Sequence, residues 1–278
     1  MEILRIAAFA DRGAGGNPAG VCLCNSLPPE AEMQEIAARV GYSETVFATK
    51  ITNGFRARYF APDGEVAFCG HATIALGAAR GAAHGAGTFQ LRLNEAEISL
   101  SATQTTGNWS ARLRSPATRY CAAGVDLVER VLTLFGWSVR DLSAQESIVR
   151  ANAGAEHLLI PLASRQLLAD MVYDFDTGAR LMRKAGLVTI NFYFRDTETL
   201  IHSRNPAAGL GVYEDPATGA AAAALAGYFR DALGRDQPFT VLQGFDMGVP
   251  CRIFVQPLSG QGAPVELSGD TREISASH

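Results

Sequence analysis

Hydrophobic and polar positions along this chain follow two different rules, and the change between them marks its organisation. Over most of its length apolar and polar residues alternate in short runs, the period-2 signature of half-buried strands. ILRIAAFA (3–10), the stretch 19–24, TVFAT (45–49) and FRARYFA (55–61) read this way. TFQLRLNEAEISLS and NWSARLRS follow as antiparallel strands, with Leu91, Leu93, Ile98 and Leu100 on one face or pairing across a turn at Asn94. EAEMQEIAARV (30–40) is instead amphipathic with the period of a helix, its acids early and its arginine late. Further on, VDLVERVLTLFG predicts a helix closed by Gly136. EHLLIPL and LVTINFYFR predict strands around the helix TGARLMRKAG. LIHSR, FTVLQG, CRIFVQP and PVELSG predict the remaining strands.

Two segments break both rules in the same way. Glu65 precedes VAFCGHATIALGAA, which has no Asp, Glu, Lys or Arg, and Arg80 follows it. Asp215 precedes PATGAAAAALAGYF, again without formal charge, and Arg230 follows. Small, Ala-rich sequence of this length favours helix, and a helix apolar all round must be buried. Both segments are too short to span a membrane. The flanking acid and arginine suit the two ends of a helix dipole. Gly70 and Gly219 open the two helices, so each N-terminus is a potential anion site. The implied design is two lobes, each wrapped around one buried helix. In both halves the order is strands, helix, strands, which is α+β and not the strict alternation of a doubly wound sheet. SPATRYCAAG (115–124) is the best linker, dividing a lobe 1–117, on which 266–278 pack back, from a lobe 118–265.

Composition narrows the classes. At 278 residues with 19% charged and 47% hydrophobic positions, a sizeable core is available. The net charge of −4, with no block of Lys or Arg, argues against nucleic acid or an anionic membrane as partner. MEILRIAAFADRG lacks the basic and long apolar regions of a signal peptide. Five cysteines (Cys22, Cys24, Cys69, Cys121, Cys251) in a long chain read as reduced thiols, so a cytoplasmic location is expected.

Most familiar motifs fail. GAGGNPAG is not a dinucleotide loop: Pro18 stands where a third glycine is needed, and VCLC, a strand, follows. GYSET is not a nucleophile elbow. The five histidines show no metal spacing, and zinc is not expected. Taken singly, Glu44 is a strand-end acid, His71 a satisfied near-buried histidine, Asp215 a turn or cap residue, and Cys69 a small core hydrophobe. What raises them above those readings is that an acid-preceded, glycine-opened apolar helix occurs twice.

GGNPAG, YSETVF, EVAFCGHATIALGAA and YEDPATGAA, in that order and over essentially the whole chain, resemble the PhzF family of phenazine-biosynthesis-like isomerases. The resemblance implies the diaminopimelate-epimerase-like fold: two similar lobes, each a curved, mostly antiparallel sheet or open barrel around a central helix, with the active site in the cleft between them. It implies a cofactor-free, proton-moving enzyme without a metal, usually a homodimer, acting on a small carboxylate-bearing metabolite. Carried over residue by residue, Glu44 of SET matches the family's acid/base, Gly70 and His71 the Gly-His of the first helix, and Asp215 the acid of EDPATG. Gly219 matches the second helix start. His71 and Asp215 stand with Glu44 as catalytic candidates. Asn17, Ser43, Gly70, Gly219 and Ala220 are the substrate-binding candidates.

The chain also departs from the family. Ala220 stands where a serine is frequent, Ala61-Pro62 where Thr-Pro is, and Arg204-Asn205-Pro206 is shorter than the family's Arg-x-Phe-x-Pro. These changes touch the substrate more than the fold. Cys69 matches one catalytic cysteine of the amino-acid epimerases of this fold; its partner would fall near Ala220, which has no thiol. The remaining alternatives are a metabolite-binding protein with a degenerate site and a two-base epimerase or racemase.

Overall fold

The computed structural model describes residues 1–275 except 95 and 106. The chain divides into two compact units. One is Met1–Arg114 with the C-terminal stretch from Ser268; the other is Ser115–Leu267.

The first unit contains β1 (Leu4–Ala10), β2 (Asn17–Cys24), α1 (Glu30–Val40), β3 (Thr45–Ile51), β4 (Gly54–Ala61), β5 (Gly64–Val66), α2 (Gly70–His84), β6 (Gly87–Arg92), β7 (Glu97–Thr105) and β8 (Asn108–Arg114). Most of the chain's last strand, β17 (Val265–Glu273), joins it. Strand pairing runs β1-β2-β3-β4-β6-β7-β8-β17 and returns to β1, a closed ring. β2/β3 and β4/β6 pair parallel, while most other neighbours are antiparallel. In the β6–β7 hairpin Leu91 lies opposite Ile98, and Phe89 opposite Leu100.

Helix α2 packs on β1, β2, β3, β7 and β8, and every residue from His71 to Ala79 is buried. Its small side chains are what let the strands come this close. A Cβ on Gly77 would stand 2.6 Å from the Ala111 Cβ, and one on Gly81 2.4 Å from Trp109 Cε3. Helix α1 covers β3 and β4 from the other side, where Met33, Ile36 and Ala37 bury against Cys22, Phe47 and Phe60. Fully burying a side chain such as Met33 contributes about 1.5–3 kcal/mol.

The second unit contains β9 (Arg119–Ala122), α3 (Val125–Phe135), β10 (Val149–Asn152), β11 (Glu156–Pro161), α4 (Arg165–Ala169), α5 (Phe175–Ala185), β12 (Thr189–Arg195), β13 (Leu200–Ala207), β14 (Val212–Asp215), α6 (Gly219–Leu233), β15 (Phe239–Gln243) and β16 (Cys251–Pro257). Its sheet runs β9-β10-β11-β12-β13-β15-β16, and β14 pairs with the end of β13. Helix α6 packs on β9, β10, β11 and β16, buried at Gly219 and from Ala221 to Arg230. A Cβ on Gly227 would meet the Thr118 side chain at 2.5 Å. Leu158, Ile160, Ile190 and Phe192 point to the opposite face of the sheet and form a core with Val131 and Phe135 of α3 and Ala179 and Met182 of α5.

The two buried helices stand where the charge-free segments predict them, but their flanks differ from expectation. Glu65 does not serve the dipole of α2. It lies in β5, where its carboxylate takes two bonds from Arg58 and one from Asn94, and the Arg58 guanidinium holds its pKa below the usual carboxylate range. Arg80 and Arg230 lie inside their helices, which run on to His84 and Leu233. Arg230 is buried and donates to the Leu258 and Ala263 carbonyls and to Thr118 Oγ1, tying α6 to the chain around it.

The two units divide at the first residue of the expected linker 115–124, between Arg114 and Ser115, but the segment is not irregular throughout. Its centre is β9, in register with β10 and antiparallel to it, and Tyr120 meets the Tyr228 ring edge-on. Only the Pro and Gly residues flanking β9 carry the turn signal.

Candidate active site

Glu44 immediately precedes β3 and is positioned by the backbone of β2: its carbonyl accepts from the Gly20 N–H at 3.1 Å. Gly20 is required for that approach, because a Cβ there would stand 2.6 Å from Thr45 Oγ1. The sequence local to Glu44 therefore fixes where its side chain begins, at the start of a strand held tightly to its neighbour.

His71 is the second residue of α2, and it reaches Glu44 from the helix side. Its Nε2 lies 3.3 Å from Glu44 Oε2 and 3.4 Å from Ser43 Oγ. Its Nδ1 lies 3.3 Å from Cys69 Sγ. In the tautomer with its proton on Nε2, Nδ1 is left to accept from the thiol. His71 is buried, and the Glu44 side chain is 18% exposed. Glu44 Oε2 itself is shut off from solvent and has no hydrogen-bond partner among the described residues. Its contact with His71 is one of distance, without the alignment of a hydrogen bond. A buried carboxylate oxygen in that state is an unused acceptor.

Cys69 is therefore more than a small core hydrophobe: it is the N-cap of α2, extended at φ −140°, and its thiol faces the histidine. It makes no side-chain cap, and the first helical bond runs from Thr73 N–H to the Cys69 carbonyl. The N–H groups of Gly70, His71 and Ala72 thus have no intrahelical acceptor. Thr73 Oγ1 also donates to the Cys69 carbonyl and meets the Tyr59 hydroxyl at 2.7 Å, which anchors the turn; burial pushes the Tyr59 pKa up. Gly70 has ordinary backbone angles, and a Cβ there would meet nothing within 4 Å beyond its two chain neighbours and the backbone of its own helix. Neither strain nor packing against other parts of the protein calls for glycine at this position. Asn17, buried, opens β2 opposite Ala8, beside a bulge where Phe9 takes φ +60°. Positive φ is an outlier for a bulky residue.

In the second unit Asp215 ends β14, and its Oδ2 accepts from Thr218 Oγ1 at 2.6 Å. Thr218 is the N-cap of α6, with Gly219 next and Ala220 half-buried behind it. The residue that organises this turn is Gln243 at the end of β15. Its Oε1 accepts from Thr218 N–H, and its Nε2 donates to the Asp215 carbonyl and to Thr218 Oγ1. A Cβ on Gly244 would stand 2.9 Å from the Pro216 carbonyl, so β15 lies close against the turn. Gln243 carries no motif and sits on a distant strand; only the fold reveals it.

Helix register corrects the position of the missing second thiol. Cys69-Gly70 and Thr218-Gly219 are the equivalent N-cap and first helical residue of the two buried helices. The counterpart of Cys69 is thus Thr218, not Ala220. Neither has a thiol, and a hydroxyl hydrogen-bonded to Asp215 is not an acidic carbon-facing base.

Among the described residues, no helix is long and apolar enough to cross a membrane. The fold is that of the diaminopimelate-epimerase-like class, α+β with two helix-centred units. By its sequence the chain belongs to the PhzC-PhzF family, the phenazine biosynthesis-like proteins, which it matches over residues 6–271. It is 31% identical over 262 residues to an uncharacterized isomerase of Deinococcus radiodurans, covering 90% of this chain and 85% of that one. It is 30% identical over 273 residues to the trans-2,3-dihydro-3-hydroxyanthranilate isomerase of Pseudomonas fluorescens, covering 95% and 94%. The crystal structure of a Bacillus anthracis PhzF-family phenazine biosynthesis protein superposes with a TM-score of 0.86 at 22% identity, covering 99% of this chain and 98% of that one. The chain stands with these relatives as an enzyme of the isomerase class.

Proposed function

We propose that the protein is a cofactor-independent isomerase that relocates a proton on a small carboxylate-bearing metabolite. The observation that carries this reading is the unpartnered, solvent-shielded Oε2 of Glu44 beside His71 Nε2. A carboxylate oxygen without a donor is free to take a proton from an activated carbon, and positioned general bases of this kind accelerate proton transfer by about 10²–10⁴-fold. Glu44 takes the proton and returns it at a second carbon. His71, oriented through Nδ1 by Cys69, exchanges protons with Glu44 or donates to a substrate oxygen.

The bare N–H groups at Gly70 and Ala72 suit a carboxylate or a developing oxyanion, helped by the positive end of the α2 dipole. The start of α6 at Gly219 and Ala220 offers the same chemistry, with Asp215 holding a polar group of the substrate. Asn17 and Ser43 complete the binding set. Ala220 brings no hydroxyl, which favours a substrate that makes no bond there. The family resemblance supports a homodimer, and five thiols with no disulfide suit the cytoplasm.

The test is incubation in heavy water with a panel of carboxylates that begins with trans-2,3-dihydro-3-hydroxyanthranilate. Deuterium at carbon in a rearranged product, without inversion, supports the isomerase. Inversion at the exchanging carbon would make the protein an epimerase. Binding without exchange for every compound that binds would make it a binding protein.

A further inference from the structure

We infer that the groove between α3 and α5 is a binding site for a small organic acid, which lays an apolar body on a leucine floor and its acid group against a cationic rim. The cavity measures about 490 Å³, inside the range of about 300–1,000 Å³ that small-molecule pockets occupy. It follows from how the two helices pack. Val131 and Phe135 of α3 and Ala179 and Met182 of α5 turn into one core. Leu134 and Leu181 stand next to them in sequence, half-buried, and line the groove. A Cβ on Gly178 would lie 3.6 Å from Leu134 Cδ2, so α3 and α5 are in contact at this turn.

The charges around the groove point to the kind of occupant. Arg130, Arg180 and Lys184 line it, against one acid, Glu129. Elsewhere in this unit arginines pair with acids, as Arg195 does with Glu146 and Arg204 with Glu214. No described residue pairs with Arg130 or Lys184, and Arg180 donates to a neutral hydroxyl, Thr177 Oγ1, at 2.9 Å. The chain as a whole carries a net charge of −4, so this positive excess is local. It favours an anion, and the leucines favour an apolar group attached to it. A bare inorganic anion would leave the leucines wet. A neutral apolar molecule would leave the cations unmatched. Because the rim is exposed, each cation adds little and serves mainly to orient the acid.

The groove lies on the sheet face opposite α6, so its occupant does not touch the start of that helix. In the sequence alone, Lys184 reads as a partner for the dipole at the end of α5. Only the packing of α3 beside it makes a groove.

The probe is 2-naphthoate, titrated into isotopically labelled protein and read from backbone amide shifts, which locate the binding as well as measure it. The expected result is saturable binding with a Kd below about 1 mM, with shifts in α3 and α5. 2-Naphthalenemethanol, neutral and of similar shape, is expected to bind about fivefold more weakly or worse. The double variant Arg130→Gln, Lys184→Gln weakens the acid by about fivefold or more, and Leu181→Gln weakens both compounds. Lys50→Gln, in the first unit, leaves both unchanged. Circular dichroism checks that each variant is folded. The inference is overturned if the amides of α3 and α5 do not move, whatever moves at the starts of α2 and α6. It is overturned equally if the alcohol binds as tightly as the acid, if the double variant binds like the parent, or if inorganic phosphate displaces the naphthoate at equal concentration. The readout does not depend on turnover. A chain that binds naphthoate here and exchanges no proton on any carboxylate loses the proposed function and keeps this site.

Discussion

His71 Nε2 lies 3.3 Å from Glu44 Oε2, yet that oxygen has no hydrogen-bond donor aligned with it. The pair is close enough to pass a proton through a small rotation, and loose enough for a substrate to claim the carboxylate. Glu44→Gln keeps the shape and removes the base. Turnover on an identified substrate is expected to fall by about 10² or more, the scale of general acid–base catalysis. The melting temperature should hold, since no described hydrogen bond to Oε2 is lost. Near-normal turnover in this variant would remove Glu44 from the mechanism.

The turn before α6 makes a second prediction. Gln243 is buried and satisfies Thr218 N–H, Thr218 Oγ1 and the Asp215 carbonyl. Gln243→Leu leaves those groups without their partner, each such loss costing about 1–3 kcal/mol. Urea denaturation should register a loss on that scale, and turnover should drop with it because Asp215 is no longer held. Gln243→Glu keeps an acceptor for Thr218 N–H and is expected to lose less. Equal stability of Gln243→Leu and the parent would show that the turn holds itself.

How much of this can be read from the chain depends on length scale. α1 is legible to the residue, Glu30 to Val40, because amphipathic periodicity is bracketed by Pro29 and an αL Gly41. α2 and α6 are legible because a long run without charge has one place to go. β5, β9, β10 and β14 have three or four residues each, too few for a period to show. β9 is hidden further by the Pro and Gly around it. In the site, Glu44, His71 and Asp215 gain weight only from the duplicated helix start and the family motifs, since each alone reads as ordinary. The position of Cys69 at a helix start is legible and its contact with the histidine is not, because residues two apart meet there only once the N-cap geometry is known. Gln243 acts on a turn 25 residues away in sequence, a relationship made by sheet register and not by pattern.

A buried histidine gives the chain a predictable acid sensitivity. His157 Nδ1 meets Thr189 Oγ1 at 2.8 Å, and that hydroxyl donates to Asn205 Oδ1, so Nδ1 carries the proton. Nε2 is buried without a partner. Burial lowers the His157 pKa from 6.5 to about 4, against a smaller opposing effect of the Glu156 charge. Between those values the unfolded chain binds a proton that the folded chain refuses, so stability falls as pH drops through the window. The whole window is worth about 3 kcal/mol at 1.36 kcal/mol per unit. Denaturation curves at about pH 7 and about pH 5 should show the parent losing about 2 kcal/mol more than His157→Gln. Parallel losses would mean that His157 is protonated in the fold.

Two glycines of α2 should separate stability from function. Gly81 is there for packing: an alanine Cβ would stand 2.4 Å from Trp109 Cε3. Gly81→Ala overpacks the ring and is expected to cost about 1–3 kcal/mol, read as a lower urea midpoint. Gly70 has ordinary backbone angles, and a methyl group there would meet no atom within 4 Å beyond its two chain neighbours and the backbone of its own helix. Alanine is the better helix former, so Gly70→Ala should leave stability unchanged or raise it by up to about 1 kcal/mol. Under the proposed function, its methyl group would crowd an anion bound at the first N–H groups of α2. A substrate carboxylate or oxyanion seated there would be displaced, and a misplacement on the ångström scale costs about 10² in rate. The expected outcome is a variant as stable as the parent or more so, with turnover reduced by tenfold or more and the greater loss in kcat if the N-terminus serves the developing charge. A loss confined to KM would assign the site to ground-state binding. Full activity in Gly70→Ala would mean that the start of α2 does not touch the substrate, and the anion site would have to be sought at α6.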